Sequence, residues 1–483
     1  MALAAATVWE VRGGAGADTN GGGFVTGASG TDYSQQNSAQ YALTGLASAG
    51  SGNTILYASA SADMVGNIAN AVSGTNVNTG YYQIVSVSVG VSITFSTNNA
   101  GQSIASGVAA SLVLNIGGAL ATVKQAVLNM GVGGMICYVK AATYTQTAVV
   151  TQASISAGTT VTMIGYTSSR GDGGQATVTT ATNSTNLFQY STGSNWVWQN
   201  FIFSNTAGTP AAGFLNTNAS YTMFLYFINC KFTGFTYGVY VPSGSSVTMV
   251  LYCQNCWFTA NTNGIYFNQS ALHTIFLDNT LFNANTTDGV LVASGGVFMF
   301  GRNTVFYNQG SKGISFTGTS SSSVSFYLML DNCAFVSNTS DGLADSYSTS
   351  PSPFIAITNT IFDSNGGYGV NFAAAPNFCL MFNNAPRGNS PSAYNNVTSV
   401  NDVSPSGSPF TNPSGLDFSL NSTAGQGAAL ANTGFPGVLQ KGGTGYAQIG
   451  PLVPNAINIV NNYFQVLAPR RTVYESIEGT LID

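Results

Sequence analysis

Three charged residues stand at matching places in a chain with few charges: Asp278, Arg302 and Asp331, each directly before an Asn. Only 6% of the 483 residues are Asp, Glu, Lys or Arg, against about 25% in an ordinary soluble protein. A recurrence of this kind therefore stands out. Two chemistries suit it. If successive repeats stack, the two carboxylates lie about 9 to 10 Å apart, near the upper range for an inverting glycosidase pair. The same groups also make a surface ionic ladder, with Arg302 relieving repulsion between Asp278 and Asp331. Both readings stay open here: catalysis at Asp278, Arg302 and Asp331, or no catalytic residue.

A second recurrence is apolar. Tyr226, Tyr252, Phe276, Phe300 and Met329 each precede an Asn by three. On strands their parity is outward, and an outward stripe of this length exceeds what a monomer usually leaves open. It suits a subunit contact or a platform for sugar rings, while a register shifted by one residue would bury it. The remaining chemistry-bearing residues read as structural. Cys253 and Cys256 form C-x-x-C without a second pair at zinc spacing, and with Cys230 they read as buried thiols. His273 is the single histidine, beside a strand pattern. Arg170-Gly171-Asp172 reads as turn chemistry before adhesion, and Asp288, Asp341 and Asp345 as turn residues. No metal or other cofactor is expected.

What must position these residues is a repeat. NFIF at Asn200, NCKF at Asn229, NCWF at Asn255 and NTLF at Asn279 are followed by NTVF at Asn303, NCAF at Asn332 and NTIF at Asn359. The steps are 29, 26, 24, 24, 29 and 27 residues. Nine or ten residues after six of these Asn comes a Gly before an alternating apolar run, at Gly238, Gly264, Gly289, Gly313, Gly342 and Gly369. Short β-branched and aromatic runs between turns read as strands, and a period in the mid-twenties is one coil of a solenoid. Asn suits the sharp turn because it tolerates the left-handed region. The columns Cys230, Cys256, Thr280, Thr304, Cys333, Thr360 and Phe232, Phe258, Phe282, Phe306, Phe335, Phe362 are expected inside. So are Phe227, Leu277, Leu330 and Ile357.

On the motif N-[CT]-x-F followed by G-[IV]-x-[FV], roughly residues 135 to 450 resemble the right-handed parallel β-helix superfamily of pectate lyases, polygalacturonases and phage tailspikes. The resemblance implies an all-β, single-stranded right-handed parallel β-helix and says little about activity. The clusters that such enzymes carry, an Asp-Asp pair with Gly-His-Gly and Arg-x-Lys or a dense acidic calcium site, are missing from this sequence.

The expected organisation is an N-terminal β-rich attachment domain over residues 1–115, a β-helix over 116–455 and a C-terminal intersubunit tail over 456–483. A capping helix is expected at 117–130, with Leu120, Val123, Val127 and Leu128 on one face and Gly131 as its stop. A net charge of −5 without a basic run speaks against nucleic acid and a polybasic membrane contact. No stretch reaches the ~18 apolar residues of a membrane span. The opening MALAAATVWEVR lacks a basic region ahead of its apolar run, and six Cys make no disulfide framework. These features point to assembly in a reducing cytoplasm. With the resemblance to phage β-helix proteins, they give the expectation of a non-enzymatic bacteriophage virion protein. It would be a capsid decoration protein or otherwise a tail component, a homotrimer among other virion proteins. A tailspike-type polysaccharide depolymerase and a carbohydrate-binding adhesin are the alternatives, with a surface polysaccharide as partner.

Overall fold

The computed structural model describes residues 2–451 apart from 153–158, 191–194, 208–210, 218–221, 245–247, 318–325, 347–353, 377, 432 and 435–447. Each repeat folds into one coil of a parallel β-solenoid, with three short strands per coil. Every strand pairs in parallel with its equivalent in the next coil. The strand before the turn Asn forms face A, as in Met249–Gln254, Phe326–Asp331 and Phe354–Thr358. The strand after it forms face B, as in Trp257–Thr259, Leu281–Asn283 and Val305–Tyr307. The third, as in Tyr237–Val241 and Ile314–Phe316, forms face C.

The turn between faces A and B is set by the Asn. Asn229, Asn255, Asn279, Asn303, Asn332 and Asn359 all have φ between 50° and 55°, a region that Asn enters at less cost than most residues. Their side chains also bond from coil to coil, as Asn279 Nδ2 donates to Asn255 Oδ1 at 2.7 Å and Asn229 Nδ2 to Asn200 Oδ1 at 2.8 Å. A second ladder, not read from the sequence, closes the B–C corner inside the core. Asn261 Nδ2 donates to Asn285 Oδ1, Asn285 Nδ2 to Gln309 Oε1, and Asn338 Nδ2 to Asn365 Oδ1, all among buried residues.

Both expected inward columns are buried, and so are Phe227, Leu277, Leu330 and Ile357. The rings of Phe232, Phe258, Phe282, Phe306, Phe335 and Phe362 stack at 4.5 to 5.2 Å with planes within 9°. That spacing follows from the coil rise. The recurring Gly makes room for this stack. A Cβ at Gly264 would lie 2.6 Å from the Gly289 carbonyl oxygen and 2.7 Å from Phe282 Cδ1.

Three expectations about the flanks are corrected. The N-terminal boundary at 115 is wrong for the first residues: Thr7–Val11 pairs in parallel with Ile136–Lys140 and is itself a solenoid strand. The chain then leaves to form a six-stranded antiparallel sheet with its own core around Ile55, Tyr82, Ile84, Phe95 and Leu112, and returns at Gly117. The helix spans only Val123–Asn129. Gly117 and Gly118 have φ of 68° and 76°, and Thr122 accepts from Gln125 N as the cap. Asp18 fixes that start by accepting from Ala121 N and Thr122 N. Leu120, Val123 and Val127 are buried against the solenoid core, but Leu128 is 41% exposed. Finally, the chain past residue 400, expected to belong to a β-helix running to 455, folds back instead of adding coils. Phe410–Asn412, Asp417–Leu420 and Gly427–Leu430 fold back over face B, where Phe410, Phe418, Leu430 and Ile449 cover Leu281, Val305, Ala334, Ile361 and Ala385. The tail expected at 456–483 lies outside the described residues.

Candidate interaction face and charged column

Face A presents its outward side chains in register. Tyr226 stands beside Tyr252, Tyr252 beside Phe276, Phe276 beside Phe300, and Phe300 beside Met329. All five are half-buried, so the outward parity expected for them holds. Ring centroids are 5.9 Å apart for Tyr226–Tyr252, 6.1 Å for Tyr252–Phe276 and 4.9 Å for Phe276–Phe300, the last pair stacked at 11°. Burial raises the phenol pKa of Tyr226, and pushes that of Tyr252 up to about 12 with the nearby Asp278 adding to it.

The face is wider than the stripe read from the sequence. Two residues earlier runs a second column, Phe224, Val250, Thr274, Phe298, Tyr327, Phe354 and Phe378, again in register. Beyond Met329 the first column continues through Ala356 to Leu380. Phe378 and Leu380 are 62% and 48% exposed. Neither column contains a charge.

The charged column borders this face. Arg302 lies in register between Asp278 and Asp331, but it does not treat them alike. Its Nε and Nη2 donate to Asp278 Oδ1 and Oδ2 at 3.1 and 2.7 Å, with side chains 41% and 17% exposed. Asp331 is 0% exposed, which corrects the expectation that both carboxylates open to solvent. Its Oδ1 accepts from Thr358 Oγ1 at 2.8 Å and Asn359 Nδ2 at 2.9 Å. Burial raises its pKa, against the pull of these bonds and of the Arg302 charge. A raised carboxyl is what a general acid needs, but here no surface of it reaches solvent. Nearby, the folded-back chain crosses the turn ladder, where Gly450 N donates to the Asn359 carbonyl oxygen.

The other candidates are built into the structure. Cys230, Cys253 and Cys256 are fully buried, and burial raises the thiol pKa of Cys230 and Cys253 well above the ordinary value. His273 is buried against the Phe267 ring, with Nδ1 accepting from Met249 N at 3.2 Å, and burial lowers its pKa to about 4. Arg170 is bonded to Glu10 of the first strand, and Asp172 accepts from the backbone N–H of Thr167, Ser168, Ser169 and Gly174. The tripeptide is thus a bonded turn. Asp288 and Asp341 accept from the backbone N–H of Lys312 and Tyr368, the turn role expected of them. Among the described residues no group of three His, Cys, Asp or Glu could hold a metal ion. No helix among them is long and apolar enough to cross a membrane.

Face C carries an aromatic group that the sequence reading missed. Tyr237, Tyr240 and Tyr266 are half-buried, with ring centroids 4.3, 4.9 and 5.2 Å apart and Tyr240 and Tyr266 parallel within 5°. The available signal was Tyr at the outward place of both GVYV and GIYF.

Against known proteins, the family model described as right handed beta helix region matches residues 211–377. No curated protein sequence matches the chain. Among solved structures, that of pectate lyase Pel9A aligns at 15% identity and a TM-score of 0.49, over 67% of this chain and 89% of its own. A variant catalytic domain of GH87 alpha-1,3-glucanase in complex with tetrasaccharides aligns at 12% identity and 0.30, over 73% and 90%. Another, in complex with nigerose, aligns at 10% identity and 0.26, over 74% and 91%. Likeness at this level transfers no residue role.

Proposed function

Since the chain is a right-handed parallel β-helix protein with an uncharged aromatic face, we propose that it is a non-enzymatic structural component of a bacteriophage virion. It serves as a capsid-surface decoration protein or otherwise in the tail, assembled in the host cytoplasm as a homotrimer. The observation that carries this reading is the two-column apolar face running from Phe224 and Tyr226 to Phe378 and Leu380. Six coil steps of ~4.8 Å by roughly 14 Å of width give on the order of 400 Å², within the range of the largest patch a monomer leaves open and often functional at that size. An uncharged face rich in aromatic side chains favours burial against protein. The burial of Asp331 and the bidentate pairing of Asp278 support a structural role for the charged column. Quantitative mass spectrometry of purified native particles tests the placement. Hundreds of copies per particle indicate a capsid decoration protein and a handful a tail component, while absence from particles overturns the virion reading.

A second reading, a polysaccharide-acting protein, draws on the flat Phe276–Phe300 pair lying beside the exposed guanidinium of Arg302, a setting in which sugar rings stack. It expects glycan binding that Phe300→Ala weakens at least tenfold. As a depolymerase it expects Asp278→Asn to abolish cleavage with the fold intact. Unchanged glycan binding and cleavage in these variants would sink it.

A further inference from the structure

Two polar side chains are set into the apolar core at the corner between faces C and A. In Asn263–Asp278 and Val290–Arg302 a single strand runs from face C through this corner into face A. His273 stands in an inward column with apolar neighbours. It pairs with Val297 in the next coil, and the pairing of Val250 with Thr274 puts Met249 beside it in the coil before. Gln269 belongs to a bulge. Asn268 pairs with Ser294 and Leu272 with Gly296, so Gln269, Ser270 and Ala271 stand against Gly295 alone. The surplus residues bend the strand at the corner, and the next coil sets Gly295 and Gly296, without side chains, opposite the bend. Gln269 is 2% exposed and His273 0%.

The hydrogen bonding of this pair is half made. His273 Nδ1 accepts from Met249 N at 3.2 Å, so the neutral ring carries its proton on Nε2, which is a donor. That Nε2 has no partner, and neither Oε1 nor Nε2 of Gln269 has one. Phe267 lies two residues before Gln269 and is buried like it, and its ring meets that of His273 with centroids 4.7 Å apart. The two arms of the corner are therefore in contact around Gln269. Buried polar groups without a partner are costly and rare. A bond from His273 Nε2 to Gln269 Oε1 would match one donor to one acceptor, yet the two do not bond directly. A water molecule between them accepts from the first and donates to the second.

We infer that this corner is a binding site for one ordered water molecule, held by His273 Nε2 and Gln269 Oε1. The water joins the two arms of the bulged corner, and it gives the single histidine of the chain its place in an otherwise apolar column. The site is independent of the assembly role proposed above.

The test is nuclear magnetic resonance of the full chain carrying isotope-labelled histidine at neutral pH, where one histidine gives one pair of ring nitrogens. The ring proton is expected on Nε2, with cross-relaxation from that proton to a long-lived water. Gln269→Leu is expected to lose the water signal with circular dichroism unchanged. A proton on Nδ1, a parent without the water signal, or a signal that persists in Gln269→Leu overturns the site. A high-resolution crystal structure of the parent decides the matter even if Gln269→Leu does not fold. Density for a water within hydrogen-bond distance of both atoms supports the site, and Gln269 Oε1 bonded directly to His273 Nε2 overturns it.

Discussion

At the scale of single residues, the buried titratable groups make opposite contributions as pH changes. His273 has its pKa lowered to about 4 from the ordinary 6.5 by burial. The stability that its neutral form contributes is complete above pH 6.5 and lost as pH falls toward 4, on the order of 3 kcal/mol at 1.36 kcal/mol per unit. His273→Met is expected to flatten that part of the stability–pH curve in denaturant titrations, and an unchanged slope contradicts the assignment. Asp331 has the reverse sign, since a carboxyl with raised pKa contributes stability at low pH that is lost as pH rises through it. Asp331→Asn keeps an oxygen for Thr358 and Asn359 and removes a buried charge. It is expected to be no less stable than the parent at pH 7, the difference closing toward pH 4, and a loss above about 1 kcal/mol would speak for an essential carboxylate. The sequence placed Asp331 in the right column but not under cover, because parity fixes direction while burial depends on what the next coil sets against it, here Thr358 and Asn359.

Elements follow the repeat closely where spacing is constant. The turn Asn and the stacked Phe were legible from N-[CT]-x-F, and so was the place of the recurring Gly, though not its purpose of making room for the Phe rings. Gly264→Ala is expected to lower stability by about 1–3 kcal/mol, because its methyl meets backbone at Gly289 and the Phe282 ring; a melting temperature equal to the parent's excludes the clash. The inner Asn ladder also had a fixed place, six residues past the turn Asn at Asn261, Asn285, Gln309, Asn338 and Asn365, but amides at a corner fit an exposed turn as well as a buried ladder. The folded-back segment was less legible. Trp257, Leu281, Val305, Ala334 and Ile361 occupy an outward column, yet it is the hairpin with Phe410 and Phe418 that makes this column a core. Phe418→Ser is expected to raise binding of a hydrophobic dye and to lower the melting temperature, and no change in either contradicts the packing. The helix came out short because Gly117, Gly118 and the Thr122 cap outweigh the apolar spacing that begins at Leu120.

At the scale of the whole molecule, a solenoid carries a separate antiparallel sheet near its start, and its own chain covers face B along Leu281 to Ala385. The first strand shows why its organisation was only partly legible. Thr7–Val11 pairs with Ile136–Lys140 across more than a hundred residues of a separately folded sheet, and no local pattern announces a strand that waits for so distant a partner. Charge is scarce throughout, so the outward faces offer mainly apolar and hydroxyl groups, and assembly follows from them by area rather than by attraction between charges. The most direct test is the solution mass of the full chain and of Phe276→Asp/Phe300→Asp by light scattering at equal concentration. The account predicts three chain masses for the parent and one for the variant, with unchanged circular dichroism. A parent of one chain mass, or a variant that keeps the parent's mass, contradicts it.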